Sequence, residues 1–237
     1  MKNLLSCILF LFAVSTIASA QSLQSDLVLK YLVQLPSQTS PHPPVIILLH
    51  GYGSDEKDLF ELRKAFPANY IVVSARAPYT VPGAGYQWYE LSKEPGKHGG
   101  KAEEVKSTRE LIEKFMAQVI TKYHADSKAV YLMGFSQGAI MSYEVGLTSP
   151  SRVKGIGILS GMVLETLKPE VKNTKDLRQL KIFIGHGTAD QRIAYSEAQS
   201  SNDYLKKLGL DPDFHSYQAM GHSISNEELN DLVKWLK

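Results

Sequence analysis

Short apolar runs, separated by longer amphipathic stretches, constrain the fold of this chain more than any other feature. The run from Val45 to Leu49 holds five consecutive apolar residues between Pro44 and His50-Gly51, which is typical of a strand buried on both faces of a parallel sheet. Strands that alternate with helices predict an α/β fold, a mostly parallel central sheet with helices on both faces. The other predicted strands span 27–35, 70–74, 129–133, 155–159, 181–184 and 214–218, and the predicted helices span 56–66, 103–123, 137–147, 195–208 and 226–236.

The first 20 residues have the pattern of a secretory signal peptide. Lys2 supplies a positive charge, an apolar run covers 4–14, and Ala18-Ser19-Ala20 matches the small-x-small cleavage pattern. The alternative is a membrane anchor, but the apolar run is shorter than the ~20 residues that a spanning helix needs. We therefore expect residues 1–20 to be removed and residues 21–237 to form a single exported domain, periplasmic or extracellular, without stable membrane insertion.

Composition excludes several classes of site. Lysine and arginine total 26 against 24 acidic residues, so the chain lacks the excess of positive charge that is typical of nucleic-acid-binding proteins. The single cysteine, Cys7, lies in the segment that we expect to be removed, which leaves no disulfide, thiol nucleophile or cysteine–metal site. No metal site is predicted, because there is no H-E-x-x-H motif and no close ligand spacing among His50, His98, His124 and His186.

A candidate nucleophile lies at the end of a predicted strand. Gly134-Phe135-Ser136-Gln137-Gly138 matches G-x-S-x-G, in which a sharp strand-to-helix turn exposes the serine hydroxyl and small residues avoid clashes across the turn. The pentapeptide alone is weak, but the predicted strand before it and helix after it supply the required context. The alternative interpretation of Ser136 is a helix-capping serine.

A nucleophilic serine needs a histidine as base, and three histidines follow Ser136 in the chain. In this arrangement the order is serine, acid, histidine. His222 follows the last predicted strand and precedes the final helix, whereas His215 lies inside that strand and His186 precedes the acid. His222 is therefore the predicted base.

Asp190 is the predicted acid. It lies just past the strand over 181–184, at the sheet edge where Ser136 is also expected. Asp211 and Asp213 precede the last strand and should lie at the opposite edge, as loop acids. Asp176 has no positional support.

An oxyanion hole needs two backbone donors. One is predicted to be the N–H of Gln137, directly after the nucleophile, and the other comes from a loop after an earlier strand. The N–H of Tyr52 is the candidate, because Gly51 and Gly53 give that loop unusual backbone freedom. The alternative is a glycine turn with no catalytic part.

Together these residues resemble the phospholipase/carboxylesterase family of α/β hydrolases, which includes the acyl-protein thioesterases. The resemblance implies the α/β-hydrolase fold, no cofactor, catalysis by Ser136, Asp190 and His222, and an oxyanion hole at Tyr52 and Gln137. It also implies that Trp88 lines the substrate cleft. The motifs that carry it are Leu49-His-Gly-Tyr-Gly-Ser, Gln87-Trp-Tyr-Glu, Gly134-Phe-Ser-Gln-Gly-Ala, Leu159-Ser-Gly, His186-Gly-Thr-Ala-Asp and Gly221-His.

The chain departs from the family at its start, since members are commonly cytoplasmic. The loop from Tyr52 to Asp55 and Glu90 look more like bacterial carboxylesterases than eukaryotic thioesterases, which favours a small-molecule ester in a bacterium. We therefore expect a serine carboxylesterase that acts on carboxylic esters, as a monomer or homodimer. Thioesters and lysophospholipids are further candidate substrates. The alternatives are an exported feruloyl or acetyl polysaccharide esterase, a serine peptidase, and a non-catalytic binding module. The proline- and glycine-rich segment 77–100 is predicted to border the cleft.

Overall fold

The computed structural model describes residues 22–38, 40–92 and 98–237, so the predicted signal segment lies outside the described residues. The strands are β1 Tyr31–Gln34, β2 Val45–Leu49, β3 Ile71–Ala75, β4 Tyr79–Thr80, β5 Tyr86–Gln87, β6 Val130–Phe135, β7 Gly155–Leu159, β8 Lys181–Gly187 and β9 Asp213–Tyr217. The α-helices are α1 Ala102–Tyr123, α2 Gln137–Thr148, α3 Tyr195–Lys207 and α4 Asn226–Trp235. None of the helices in this described part of the chain is long and apolar enough to cross a membrane.

The main sheet is mostly parallel, as predicted. Its seven strands run in the order β1-β3-β2-β6-β7-β8-β9, and only the β1–β3 pair is antiparallel. Strands β4 and β5 form a separate hairpin. The central strands β2, β3 and β7 are buried along their whole length, as continuous apolar runs predict.

The register of the sheet places the functional motifs together at the carboxyl ends of the parallel strands. Leu49 of β2 is opposite Gly134 of β6, and Leu159 of β7 is opposite Gly185 of β8. Because these strands are parallel, the loops that follow them all leave from the same edge, which is where α/β proteins bind their ligands. The neighbouring positions of β2 and β6 bring the loop after Leu49 beside the G-x-S-x-G turn.

Helices cover both faces of the sheet. One apolar cluster holds residues of α1, α2 and α3, with Phe115, Ile140 and Leu205 among them. The second cluster packs Leu232 of α4 and Leu59 against the opposite face. Every residue of α2 from Gln137 to Leu147 is buried, because this helix lies between the sheet and α1.

Three predicted elements differ from those observed by more than two residues or in type. The predicted helix over 56–66 is a single 3₁₀ segment, Leu59–Lys64, in which only Leu59 and Phe60 are buried, too little to support a longer helix. The opening strand is confined to β1, at the edge of the sheet. Strand β8 continues beyond the predicted run to Gly187, because His186 and Gly187 pair with β9.

One residue of α4 is a buried carboxyl group. Glu228 is fully buried, and neither oxygen has a hydrogen-bond partner among the described residues. A Cβ on Gly185 would overlap Glu228 Oε1, so the glycine makes room for this carboxyl group against β8. Burial raises the pKa of Glu228 to about 8, and the group is therefore protonated at neutral pH.

This raised pKa predicts that stability falls between about pH 4.5 and pH 8. In that range the unfolded chain ionises Glu228 while the folded chain keeps its proton, so the folded state binds more protons and loses stability as the pH rises. Glu228→Gln is expected to flatten this dependence, with a gain of a few kcal/mol at pH 8 and little change at pH 4. Urea unfolding at both pH values measures it. Glu227→Gln, at the exposed neighbouring position, is the control, and an equal gain there would contradict the assignment.

Candidate active site

Ser136 occupies the sharp turn between β6 and α2. Its backbone has φ 53° and ψ −116°, a sparsely populated conformation that costs about 1–3 kcal/mol and occurs mostly at functional sites. The two glycines of the motif allow the close packing that maintains it. A Cβ on Gly134 would overlap the Gly138 backbone, and a Cβ on Gly138 would overlap the Leu49 carbonyl oxygen. The strand and helix on which the sequence interpretation depended are both present.

A chain of hydrogen bonds joins Ser136 to His222 and His222 to Asp190. The distance between Ser136 Oγ and His222 Nε2 is 2.9 Å, and that between His222 Nδ1 and Asp190 Oδ2 is 2.7 Å. Because a carboxylate accepts, Nδ1 carries the proton, and Nε2 is left to accept from the serine hydroxyl. The Phe135 ring lies 4.8 Å from the His222 ring, centroid to centroid, and packs against it. The structure thus brings together the three residues predicted from separate strand ends.

The carboxylate of Asp190 is held on both oxygens. Its side chain is fully buried, and Oδ1 accepts backbone N–H bonds from Arg192 at 2.8 Å and Ile193 at 3.0 Å. The turn after β8 therefore fixes this side chain and leaves Oδ2 facing His222. Two donors on a buried carboxylate compensate for much of its lost hydration.

The loop after β2 passes beside the serine. A Cβ on Gly51 would lie 3.5 Å from Ser136 Cβ and 3.2 Å from Phe135 Cδ1. Gln137 is the first residue of α2, so helical hydrogen bonding leaves its N–H without a partner and the positive end of the helix dipole lies there. Both predicted oxyanion donors, Tyr52 and Gln137, therefore belong to segments that adjoin Ser136.

Comparison with known proteins identifies the family. The sequence model of the Phospholipase/Carboxylesterase family matches residues 32–237. The chain belongs to this family. The predicted family, α/β-hydrolase fold and esterase activity are confirmed.

Three proteins similar to this phospholipase/carboxylesterase agree with the family match. A probable SOBER1-like carboxylesterase of Arabidopsis thaliana is 28% identical over 81% of this chain and 77% of its own. Acyl-protein thioesterase 1 of Mycosarcoma maydis is also 28% identical, over 89% of this chain and 97% of its own. The crystal structure of esterase PE8 has a TM-score of 0.75 at 27% identity and covers 86% of this chain and 95% of that one.

In this phospholipase/carboxylesterase, Trp88 does not line the cleft as the family resemblance implied. The side chain is fully buried, and its indole Nε1–H donates to the His50 carbonyl at 2.8 Å. A side chain with no exposed surface, bonded to the backbone beneath the Gly51 loop, supports that loop instead of forming the cleft wall. The sequence indicated an aromatic residue near the site, but its direction depends on packing between distant segments.

The Gln137 side chain is a site feature that sequence reasoning missed. Its Oε1 accepts the Trp88 backbone N–H and its Nε2–H donates to the Tyr89 carbonyl, both at 2.8 Å. This amide pairs with a peptide backbone as a neighbouring strand would. The only available signal was a polar residue in a helix whose other residues are largely apolar.

Two buried histidines, His50 and His186, support the loops that they begin. His50 Nδ1–H donates to the Gly51 carbonyl at 2.7 Å, and Nε2 accepts the Ala77 N–H at 3.1 Å. His186 Nε2–H donates to the Ile193 carbonyl at 2.9 Å, with Asp190 Oδ2 3.4 Å away. Burial lowers the pKa of both rings, so each is neutral near pH 7. His186 therefore supports the turn that carries Asp190, and its neutral ring does not compete with His222 for the Asp190 carboxylate as a charged partner would.

His215 lies apart from the site. It stacks on Phe183 with ring centroids 5.1 Å apart, and its Nε2 is 2.9 Å from Asp213 Oδ1. Asp213 begins β9, at the opposite edge of the sheet from Ser136, as the sequence indicated. This pair is an exposed counterpart of the His222–Asp190 pair.

A partly buried ion pair that the sequence did not reveal supports the segment that follows the Gly51 loop. Arg76 Nε and Nη2 donate to the two carboxylate oxygens of Glu56 at 2.6 and 2.7 Å. Burial, the largest single influence, would raise the pKa of Glu56. The Arg76 hydrogen bonds, a backbone hydrogen bond and the nearby positive charges of Arg76 and Lys57 together outweigh burial, and the pKa is lowered. Backbone bonds from Tyr86 to Gly53 and Ser54 complete the support.

Proposed function

We propose that this chain is a serine carboxylesterase in which Ser136 is the nucleophile, His222 the general base and Asp190 the acid that orients it. The observation that carries the proposal is the hydrogen-bonded chain from Ser136 Oγ through His222 to Asp190 Oδ2, built on a strained turn at a helix N-terminus. A capping serine would accept a bond from its own helix, but the Ser136 side chain makes no such bond. A serine hydroxyl bonded to an oriented imidazole is the arrangement of an activated nucleophile.

The reaction proceeds in two steps. Ser136 Oγ attacks the ester carbonyl carbon while its proton moves to His222 Nε2, and Asp190 stabilises the imidazolium that forms. The N–H groups of Tyr52 and Gln137 bind the developing oxyanion. The tetrahedral intermediate then collapses: the bond to the leaving oxygen breaks, and that oxygen takes the proton from His222.

Water completes the turnover. His222 removes a proton from a water molecule, which attacks the acyl-serine carbonyl. The second tetrahedral intermediate then collapses: the bond to Ser136 Oγ breaks, Oγ takes the proton back from His222 Nε2, and the acid is released. A thiolate is a better leaving group than an alkoxide, so the same residues also serve a thioester. We therefore include thioesters and lysophospholipid esters with the small carboxylic esters as substrates, and the names of the relatives, carboxylesterase and thioesterase, favour this breadth.

A fluorophosphonate probe tests the nucleophile directly. It is expected to form one covalent adduct per chain on the peptide that contains Ser136, because only an activated serine displaces fluoride from phosphorus. Peptide mapping by mass spectrometry locates the adduct. Ser160 is a matched internal control: it also has a positive φ, 51°, at a strand end, but it is fully buried and its Oγ has no hydrogen-bond partner among the described residues. An adduct on Ser160 instead of Ser136 would contradict the proposal.

We also propose that residues 1–20 direct export and are then removed, which leaves a single domain over 21–237 in the periplasm or outside the cell. The charged start at Lys2, the apolar run and Ala18-Ser19-Ala20 support this. N-terminal sequencing of the protein recovered from a secreting host is expected to begin at Gln21. An intact Met1 on cell-retained protein would rule export out.

A further inference from the structure

The two segments that carry the proposed oxyanion donors are bonded to the same dipeptide, Trp88-Tyr89. The Trp88 indole N–H donates to the carbonyl of His50, two residues before Tyr52. The backbone N–H of Trp88 and the carbonyl of Tyr89 both bond to the side-chain amide of Gln137. A continuous set of hydrogen bonds, each 2.8 Å long, therefore connects one donor segment to the other.

We propose that the Trp88 indole and the Gln137 side-chain amide act as a strut that fixes the separation of the Tyr52 and Gln137 N–H groups. They are positioning residues, and the inference rests on the proposed function, since it assigns these N–H groups to the oxyanion. The strut adds to Gln137 a side-chain role distinct from that of its backbone.

The burial of the strut gives it rigidity. Trp88 and His50 have no exposed surface, and Gln137 is 2% exposed, so water does not replace a broken bond and each lost partner leaves an unsatisfied group. Thr108 of α1 donates its hydroxyl to the Trp88 carbonyl at 2.8 Å. The His50 and Trp88 rings are in tilted contact, with centroids 5.5 Å apart. Through Thr108, α1 thus also fixes the dipeptide, and α1 belongs to neither donor segment.

Geometry explains why such a strut affects the rate more than binding. Donors stabilise an oxyanion when they lie about 2.7–3.1 Å from the position that the charged oxygen takes in the transition state. A shift of the His50 segment lengthens one of these bonds, and a misplacement of about 1 Å costs on the order of 100-fold in rate. The neutral carbonyl of the bound ester depends less on the same bond, so KM changes less than kcat.

Trp88→Phe is the main test, because it keeps an aromatic ring and removes the indole N–H. We expect kcat for p-nitrophenyl acetate to fall roughly tenfold, with KM within about twofold. The Ki of a trifluoromethyl ketone, which forms a tetrahedral adduct with the serine, is expected to rise by the same factor. Gln137→Met keeps the side-chain length, removes both amide bonds, and is expected to give the same paired change. Rates are normalised to sites titrated with fluorophosphonate, so partial folding does not affect them.

Trp235→Phe is the matched control, since Trp235 packs against Tyr131 and Phe183 on the opposite face of the sheet. It is expected to leave kcat and Ki unchanged. If Trp88→Phe or Gln137→Met only lowers the Tm, with kcat and Ki per titrated site at wild-type values, the strut is wrong and the residues are core packing alone. That outcome leaves the proposed function intact. Failure of the proposed function would appear differently, as an active Ser136→Ala variant.

Discussion

Ser136→Ala is expected to lower kcat for p-nitrophenyl acetate by about 10⁴- to 10⁶-fold, which is the loss found when the nucleophile of a serine hydrolase is removed. Alanine keeps the Cβ and the backbone of the turn but has no oxygen to attack the ester or to donate to His222 Nε2. Any residual rate comes from the oxyanion donors and substrate binding alone. Steady-state kinetics together with a thermal melt separate this effect from unfolding.

The Tm of the Ser136→Ala variant should stay close to that of the wild type, because only one partly exposed hydrogen bond is lost. Ser160→Ala serves as the matched serine-to-alanine change at the neighbouring strand end, and it should keep near-normal kcat. Undiminished turnover by Ser136→Ala would remove Ser136 as the nucleophile, and the triad assignment with it.

Asp190→Asn is expected to lower kcat about 10⁴-fold at neutral pH while the geometry of the site stays nearly unchanged. The Arg192 and Ile193 N–H groups require an accepting oxygen at the Oδ1 position. The asparagine amide nitrogen must therefore occupy the Oδ2 position and donate to His222 Nδ1. That bond forces the imidazole proton onto Nε2, which then has no lone pair to take the proton of Ser136.

The exposed pair of Asp213 and His215 supplies the control. Asp213→Asn makes the same chemical change beside a histidine 2.9 Å away, and it should leave kcat unchanged. Both variants are measured for kcat at pH 7 and for Tm. A kcat for Asp190→Asn within tenfold of the wild type would mean that the carboxylate does not select the tautomer of His222.

The strand ends were predictable because they depend on local patterns. Continuous apolar runs such as Val45–Leu49 are characteristic of strands buried on both faces, and the observed β2 and β7 have the predicted bounds. The 3₁₀ segment Leu59–Lys64 was not predicted as such. Its sequence has a helical pattern, but too little of it is buried against the sheet to sustain a longer helix.

In the candidate site, too, some features follow from the sequence pattern and others from tertiary packing. Chain order and strand ends selected Ser136, Asp190 and His222, because in a parallel sheet the loops that follow the strands converge at one edge. Trp88 was expected in the cleft wall because the family resemblance implied it, and an aromatic residue in a long loop carries no local signal of its direction that could have corrected this. Its burial depends on contacts with His50 and Gln137, which are 38 and 49 positions away in the chain.

By itself, then, the sequence determined the order of the main-sheet strands and of the four α-helices, the turn that carries Ser136, and the candidate acid and base. The elements and the turn follow from the spacing of residues that are close in the chain, and the acid and base follow from chain order and from their places after strand ends. Only the tertiary structure decided which polar groups meet, such as the Gln137 amide with the Trp88-Tyr89 backbone and Arg76 with Glu56. It also decided that the Glu228 carboxyl group is buried with no hydrogen-bond partner among the described residues. The physical reason is that hydrogen bonding and burial are properties of the packed chain, in which each partner comes from a different segment.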